Sequence, residues 1–447
     1  MQQRFPTRVL ALALALALVV LALPPPAAAQ DEVQVFRGAY VVPIAVPPIE
    51  SGVVVVRDGS IVEVGGPEVA TPAGAVEHDL SGQWLMPGIV DSHSHVGSAS
   101  GGDRSSPLHP DVRSLDSIDI ASDGFWRARA GGITTVNVMP GSGHLMSGQT
   151  TYLKLRDGGR TIEDWLFCDD PATDVCGGMK MANGTNSMSG PPFPGTRARS
   201  AALVRGLYHE AQAWLEREGA GADRDEPDSR DLRMEGLAEV LAGERIVQHH
   251  THRHNDIATV LRLREEFGFR VVIQHGTESW KLADEIAAAG VPVSITFIDA
   301  PGGKEETLDW SLEIGAILEQ AGVDVAFNTD DFITDSRLLL RGAAIAVRNG
   351  MSRDAALEAL TLAPARMLGL EDRIGSLEAG KDADLVVLSG DPFSVYTKVE
   401  QTWVEGRQIF DRSNPEHRRY AVGGHNVYRL SAEEEAALRE LLAGEGL

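Results

Sequence analysis

Short apolar runs closed by glycine turns occupy both ends of the chain, and a longer alternation of apolar runs with amphipathic stretches lies between them. Near the start, Gly52-Val53-Val54-Val55-Val56-Arg57-Asp58-Gly59 reads as a strand and turn, with Ser60-Ile61-Val62-Glu63-Val64-Gly65-Gly66 as its partner. The same texture returns late. Ala383-Asp384-Leu385-Val386-Val387-Leu388 is a strand ended by Gly390-Asp391-Pro392, and residues 399–404 and 407–410 flank the turn Glu405-Gly406. Two β-rich ends predict one small sheet domain, since termini often lie close together. In the middle, apolar runs at residues 133–139, 245–248, 270–274, 291–297 and 323–327 alternate with helix-like stretches such as 201–217, 256–267 and 280–289. That alternation predicts βα units around a parallel sheet. The length of the middle suits a (β/α)8 TIM barrel of about 250 residues with insertions. A doubly wound sheet is weakened because no Gly-x-Gly-x-x-Gly turn follows an early strand. The polar stretch 219–231 is expected to be an exposed loop.

Composition narrows the class. With 447 residues, 43% of them hydrophobic and 23% charged, the chain is neither disordered nor a small stapled scaffold. Residues 1–29 read as a secretory leader: Arg4 and Arg8, an apolar run at 9–23, Pro24 to Pro26, then Ala27-Ala28-Ala29 before Gln30. The apolar run is short for a span of about 20 residues, so cleavage is favoured over an anchor, and an exported chain, periplasmic or secreted, is expected. The formal net charge is −24, and losing Arg4 and Arg8 with the leader takes it to −26. Such a surface repels phosphate backbones and anionic lipid, so neither nucleic acid nor, after cleavage, a membrane is expected as partner. A homo-oligomer is compatible with all of this. Cys168 and Cys176 favour a local disulfide or two free thiols over a metal site.

Chemistry-bearing residues gather at strand ends. In Leu85-Met86-Pro87-Gly88-Ile89-Val90-Asp91-Ser92-His93-Ser94-His95, the two histidines share one strand face. Two imidazoles there suit a metal such as zinc, although such a pair also occurs as polar residues on a surface loop. Later strands end in Val247-Gln248-His249-His250-Thr251-His252-Arg253-His254, in Val271-Val272-Ile273-Gln274-His275-Gly276-Thr277, and in Val325-Ala326-Phe327-Asn328-Thr329-Asp330-Asp331. In a TIM barrel these ends converge on one mouth, where active sites sit.

With Pro87 to His95 and the late run Gly375-Ser376-Leu377-Glu378-Ala379-Gly380-Lys381-Asp382-Ala383-Asp384-Leu385, the chain resembles the metal-dependent amidohydrolase superfamily over about residues 32–412. Its imidazolonepropionase-like branch is the most similar. The resemblance implies a metal-bearing (β/α)8 barrel, with the two β ends forming a composite β-sandwich. Boundaries follow: leader 1–29, first part of the sandwich 30–86, barrel 87–368, return to the sandwich 369–412, and tail 413–447. The resemblance also implies that His93 and His95 are first-strand metal ligands, His250 the fifth-strand ligand and His275 the sixth. Asp330 corresponds to the eighth-strand Asp that binds metal and moves protons. His249, His252 and His254 crowd His250, and the pattern favours the first His of His250-Thr251-His252-Arg253. His252 and Arg253 then become candidates to face substrate, as does His144 after the second strand. Members with two metals often bridge them by a carboxylated Lys after the fourth strand. With only six Lys against 34 Arg, Lys180 in Gly178-Met179-Lys180-Met181-Ala182 is the candidate. A loop lysine reaching solvent or a substrate carboxylate is the alternative, and would leave a mononuclear site. One or two zinc ions are therefore expected. Relatives tend to continue Gly-Glu-Asn-Pro-Lys where this chain has Gly184-Thr185-Asn186-Ser187-Met188, so substrate choice does not carry over.

The resemblance implies hydrolysis of a small molecule. A bound metal lowers the pKa of its water from 15.7 to about 7, the hydroxide attacks a carbonyl or imine-like carbon of a non-peptide C–N bond such as a cyclic amide, and Asp330 shuttles the proton. An exported metallo-dipeptidase or N-acyl amino acid hydrolase is the second reading. A non-catalytic scaffold is a remote third, since the ligand set is retained.

Overall fold

The computed structural model describes residues 33–98, 102–219, 230–296, 304–331 and 333–424. The expected leader, residues 220–229 of the polar loop and the tail beyond residue 424 lie outside the described residues. Five strands open the fold: β1 (Val33–Val41), β2 (Ile49–Arg57), β3 (Ser60–Gly65), β4 (Val76–Asp79) and β5 (Trp84–Pro87). The alternation of the middle then appears as β6 (Ile89–Ser94), α1 (Asp123–Ala130), β7 (Ile133–Val138), β8 (Met146–Gln149), β9 (Thr151–Lys154), β10 (Met179–Ala182), α2 (Arg197–Gly219), α3 (Leu232–Ala242) and β11 (Val247–Thr251). It continues with α4 (His254–Phe267), β12 (Val271–His275), α5 (Ala283–Ala289), β13 (Val293–Thr296), α6 (Ile314–Gln320), β14 (Val325–Asn328) and α7 (Leu339–Arg348). The strands β15 (Leu385–Leu388), β16 (Val399–Val404) and β17 (Arg407–Asp411) return to the opening sheet.

Both ends of the chain share one eight-stranded sheet, in the order β17-β16-β15-β5-β1-β2-β3 with β4 beside β1. Its joint is β5, parallel to β1 on one side and antiparallel to β15 on the other. A buried apolar layer of Phe36, Val54, Val56, Leu85, Leu385, Val387 and Trp403 covers one face. The strand-to-turn reading at Val53 to Gly65 holds, with β2 antiparallel to β3.

In the middle, β10, β11, β12, β13 and β14 lie parallel and adjacent in chain order, with β8 antiparallel on the far side of β10. A second sheet places β7 between the parallel β6 and the antiparallel β9. The two approach where Ser94 and Asp331 form a parallel bridge and Asp330 N bonds to His93 O at 2.9 Å. Every residue of β11, β12, β13 and β14 is buried, as expected for strands covered on both faces. The helices bury one stripe each. In α4 the buried apolar positions are Ile257, Val260, Leu263 and Phe267, and Gly268 ends the helix at a φ of 76°. Asp231 caps α3 by accepting from Arg233 N and Met234 N.

The turn into β6 is tight. A Cβ on Gly88 would lie 2.2 Å from Thr134 Oγ1, so this step in the Pro-Gly motif requires glycine. Cys168 and Cys176 are joined by a disulfide in the connection between β9 and β10. Lys154, fully buried on β9, reaches Asp382, Asp384 and Glu405 near β15 and the β16–β17 turn, and so ties the middle of the chain to its end. Among the described residues no helix is long and apolar enough to cross a membrane.

Candidate metal centre

The C-terminal ends of β6, β10, β11, β12 and β14 bring His93, Lys180, His250, His275 and Asp330 together. Parity does the first part of the work. His93 on β6 turns inward and His95 follows it, so that both Nε2 atoms approach Asp330 Oδ1, at 3.3 and 3.0 Å. His275 Nδ1 lies 3.9 Å from Asp330 Oδ2. Ligand atoms of His93, His275 and Asp330 fall within 4.8 Å of one another, a spacing able to hold a metal ion. The His250 ring centre is 4.4 Å from that of His275 and 4.6 Å from that of His252. Lys180 Nζ, with no exposed surface, sits 3.1 Å from His93 Nε2.

Backbone geometry is unusual at two of these positions. His275 has a φ of 69° and Asp330 a φ of 45°. Side chains other than glycine rarely adopt this left-handed region, and such residues cluster where a site is held in place by its surroundings.

Hydrogen bonds fix which nitrogen each imidazole presents. His95 Nδ1 donates to Met139 O at 2.8 Å, and His93 Nδ1 donates to Gln274 Oε1 at 3.3 Å. The Thr296 hydroxyl donates to Asn328 Oδ1, so its oxygen accepts from His275 Nδ1 at 2.7 Å. Each ring therefore keeps an Nε2 lone pair directed into the cluster. The supports are themselves joined: Asn328 Nδ2 donates to Gln274 Oε1, and Gln274 Nε2 to Gln248 Oε1. His250 Nδ1, His250 Nε2, His252 Nε2 and His275 Nε2 are buried without a hydrogen-bond partner. Four orphaned imidazole nitrogens at one point are costly unless something binds them, and N and O donors of this kind suit a divalent metal. The residues present fit such an ion.

Electrostatics agree with neutral ligands around one anion. Burial pushes His93, His250 and His275 well below the usual imidazole range, with neighbouring cations adding to the effect. Burial also brings His252 to about 4 and Lys180 to about 7.

The other residues named from the sequence lie at the edge of this cluster or beyond it. His249 has the opposite parity and lines a small cavity with Asn183, Arg197 and Asp256 behind β11. His252 turns its Nδ1 to Thr277 Oγ1 at 2.7 Å and stacks on His275. Arg253 stands at the N-cap of α4, half-buried. His144 bonds to Asp103 O at 2.7 Å and packs against Phe193, in a group of loops with His109. Asp331 turns away from the histidines to Ser336 N and Oγ, with Arg127 at 3.6 Å. Gln248, Gln274, Thr296 and Asn328 escaped the sequence reading. The signal was there: a polar residue inside a fully apolar strand needs a buried partner.

A cluster of His and Asp side chains able to hold a metal, at strand ends of an α/β fold, points to the class. The amidohydrolase family model matches residues 240–410. An amidohydrolase from Thermotoga maritima, known from its crystal structure, superposes with a TM-score of 0.77 at 35% identity, covering 85% of this chain and 100% of that one. Amidohydrolase tasK of Hapsidospora irregularis is 28% identical over 392 residues, 80% of this chain but only 40% of that protein's length. Imidazolonepropionase of Xanthomonas campestris pv. campestris is 25% identical over 360 residues, 76% of this chain and 87% of that one. The chain belongs to the amidohydrolase superfamily, in its imidazolonepropionase-like branch, and is a hydrolase acting on carbon–nitrogen bonds.

Proposed function

We propose that this chain is a zinc-dependent hydrolase of a small molecule with a non-peptide C–N bond, a cyclic amide or a related group. The observation that carries the reading is the convergence of His93, His95, His275 and Asp330 with unpartnered nitrogens of His250. In this reading His93, His95, His250, His275 and Asp330 hold the metal. Lys180, fully buried beside His93 with a pKa brought to about 7, has the neutral amine that can add carbon dioxide with loss of a proton, and as a carbamate it would help to hold a second ion. When bound, the metal supplies Lewis acidity that polarises the scissile carbonyl and makes water nucleophilic near neutral pH.

The protein's own groups do the rest. Gln274 and Thr296 orient His93 and His275 and fix their tautomers. Asp330 takes a proton from the attacking water at its carboxylate and delivers it to the leaving nitrogen. His252 faces the substrate from beside His250, and His144 and Arg253 contribute from the loops around it. The polypeptide frame belongs to the same proposal: the strands of residues 87–368 close as a (β/α)8 barrel, and segments 30–86 and 369–412 fold together as a composite β-sandwich. The approach of β6 to β14 supports closure, and the shared eight-stranded sheet supports the composite domain. The leader at 1–29 makes this an exported enzyme. The test is metal content alongside turnover of cyclic imides, N-acyl amino acids and dipeptides by wild type and Asp330→Asn. A protein that purifies without bound zinc and gains none on dialysis overturns the metal reading. Wild-type turnover by Asp330→Asn at full metal loading overturns the proton shuttle.

A further inference from the structure

Strand β6 carries a buried carboxylate that the reading above leaves without a task. Asp91 stands two residues before His93 and has no exposed surface. No lysine or arginine pairs with it among the described residues. A carboxylate taken wholly out of water without a cation is costly unless donors surround it, and here three do. Thr329 N donates to Asp91 Oδ1 at 3.1 Å, the Thr329 hydroxyl to Oδ2 at 2.5 Å, and His93 N to Oδ1 at 3.3 Å. An ionised carboxylate only accepts, so it meets the N–H and the O–H of Thr329 at once. Asparagine would turn its amino group on one of them.

Those bonds act on the turn that carries Asp330. Thr329 is fully buried just past the end of β14. Its oxygens are used again: Asp331 N donates to Thr329 Oγ1 at 3.0 Å, and Thr334 N donates to Thr329 O at 2.9 Å. Asp330, between these anchors, has a φ of 45°, and its N donates to His93 O at 2.9 Å. Aspartate enters the left-handed region more readily than most side chains, but a residue is kept there only where its surroundings dictate it. The neighbours of Asp330 on both sides are pinned through one hydroxyl, and Asp91 pins that hydroxyl. With the backbone so fixed, Asp330 Oδ1 comes to 3.3 Å from His93 Nε2 and 3.0 Å from His95 Nε2.

We propose that Asp91 is a positioning residue: by anchoring Thr329 it sets the backbone of Asp330 and aims the Asp330 carboxylate at His93 and His95. What that aim serves rests on the metal-dependent hydrolase reading above; the anchoring itself does not need it. Asp91 and Thr329 lie 238 positions apart, so the contact ties the first strand of the cluster to the last.

Four forms of the full chain test it: wild type, Asp91→Asn, Thr329→Val and Thr329→Ser, each crystallised without metal and each titrated with cobalt(II) against a chelator of known affinity. In Asp91→Asn and Thr329→Val the Asp330 carboxylate should leave hydrogen-bond reach of His95 Nε2. Cobalt should bind them roughly 10- to 100-fold more weakly, the range for a group that orients a metal ligand, and its visible spectrum at saturation should change. Thr329→Ser keeps the hydroxyl and should match wild type in all three respects. A residue that only stabilised the fold would lower the melting temperature and leave the saturated spectrum alone. Should Asp91→Asn fail to fold, Thr329→Val decides, because it keeps the buried carboxylate. Asp330 at its wild-type position in the folded variants, or an unchanged cobalt affinity and spectrum, overturns the proposal. Displacement of Asp330 in the variants while wild type binds no cobalt, or hydrolyses none of the cyclic imides, N-acyl amino acids and dipeptides, instead counts against the hydrolase reading alone.

Discussion

Replacing Thr296 by valine removes one hydroxyl and almost no volume. The expected consequences are specific, because that oxygen accepts from His275 Nδ1 and its hydrogen goes to Asn328 Oδ1, both at 2.7 Å in a fully buried setting. Two groups lose their partner at once, the imidazole N–H and the amide carbonyl. Leaving a buried polar group unsatisfied costs about 1–3 kcal/mol, so the pair sets a range of about 2–6 kcal/mol, the upper end applying only if neither side chain rearranges. The ring of His275 also loses the contact that selects its tautomer, and partners of this kind are worth about 10- to 100-fold in metal affinity. Thr296→Ser keeps the hydroxyl and is the control for volume. The assay is competition for zinc against a chelator of known affinity, with melting curves taken with and without metal. Thr296→Val should bind zinc at least about tenfold more weakly, while Thr296→Ser should stay near wild type. Equal zinc affinity in wild type and Thr296→Val would refute the idea that Thr296 sets the His275 tautomer.

Asp330→Asn should retain measurable zinc and lose about 10²- to 10⁴-fold in kcat, the usual contribution of a positioned proton-transfer group, read by steady-state kinetics at matched metal loading. Lys154→Met leaves Asp382, Asp384 and Glu405 facing one another in a buried corner and should cost about 3–5 kcal/mol, the penalty for breaking a buried pair, measured by denaturant unfolding. On Glu405, burial acts upward but the bond from Arg156 and the charge of Lys154 outweigh it and hold the carboxyl below its ordinary value. A lowered carboxylate stabilises the fold above its unfolded pKa of about 4.3 and loses that contribution as pH falls through the folded value. The melting temperature of wild type should thus fall more steeply below about pH 4.3 than that of Glu405→Gln, and parallel profiles would contradict the assignment. Gly88→Ala should destabilise the β5–β6 joint, because its Cβ would overlap Thr134 Oγ1 at 2.2 Å; a melting curve matching wild type would count against that strain.

Much of the site was legible because its residues announce themselves at strand ends. His93 and His95 two apart, His275 at the end of an apolar run, and Asp330 after Asn328 each follow from strand parity and chain order. The spacing of Cys168 and Cys176 left a disulfide and free thiols both open, and the structure has the disulfide. What stayed hidden depends on pairing across distance. Gln274 meets His93 across 181 positions of sequence, and Lys154 meets Asp382 across 228. No local period reports such a contact. The antiparallel strands β8 and β9 also went unseen, being four residues each, too short to show alternation against the loops around them. His144 shows the limit of chain order: its place after the second strand is legible, but its bond to Asp103 O and its packing on Phe193 are not. A position in the chain order fixes which end of a strand a loop leaves from, and not where in that loop a side chain comes to rest.

Strand β5 has a consequence for the order in which the molecule can be made. It is held between β1 and β15, so Trp84–Pro87 has only one neighbour until residues 385–388 exist. Gly88 joins this strand directly to β6 and hence to His93. During synthesis, the first strand of the candidate centre therefore stays attached to a half-paired sheet edge while some 300 further residues are added, a long-range closure of the kind that slows folding. A nascent chain at that stage displays an open strand edge, the feature most prone to pair with a neighbour. The strand that leads into His93 thus gains its second neighbour only after the last candidate ligand, Asp330, has been made.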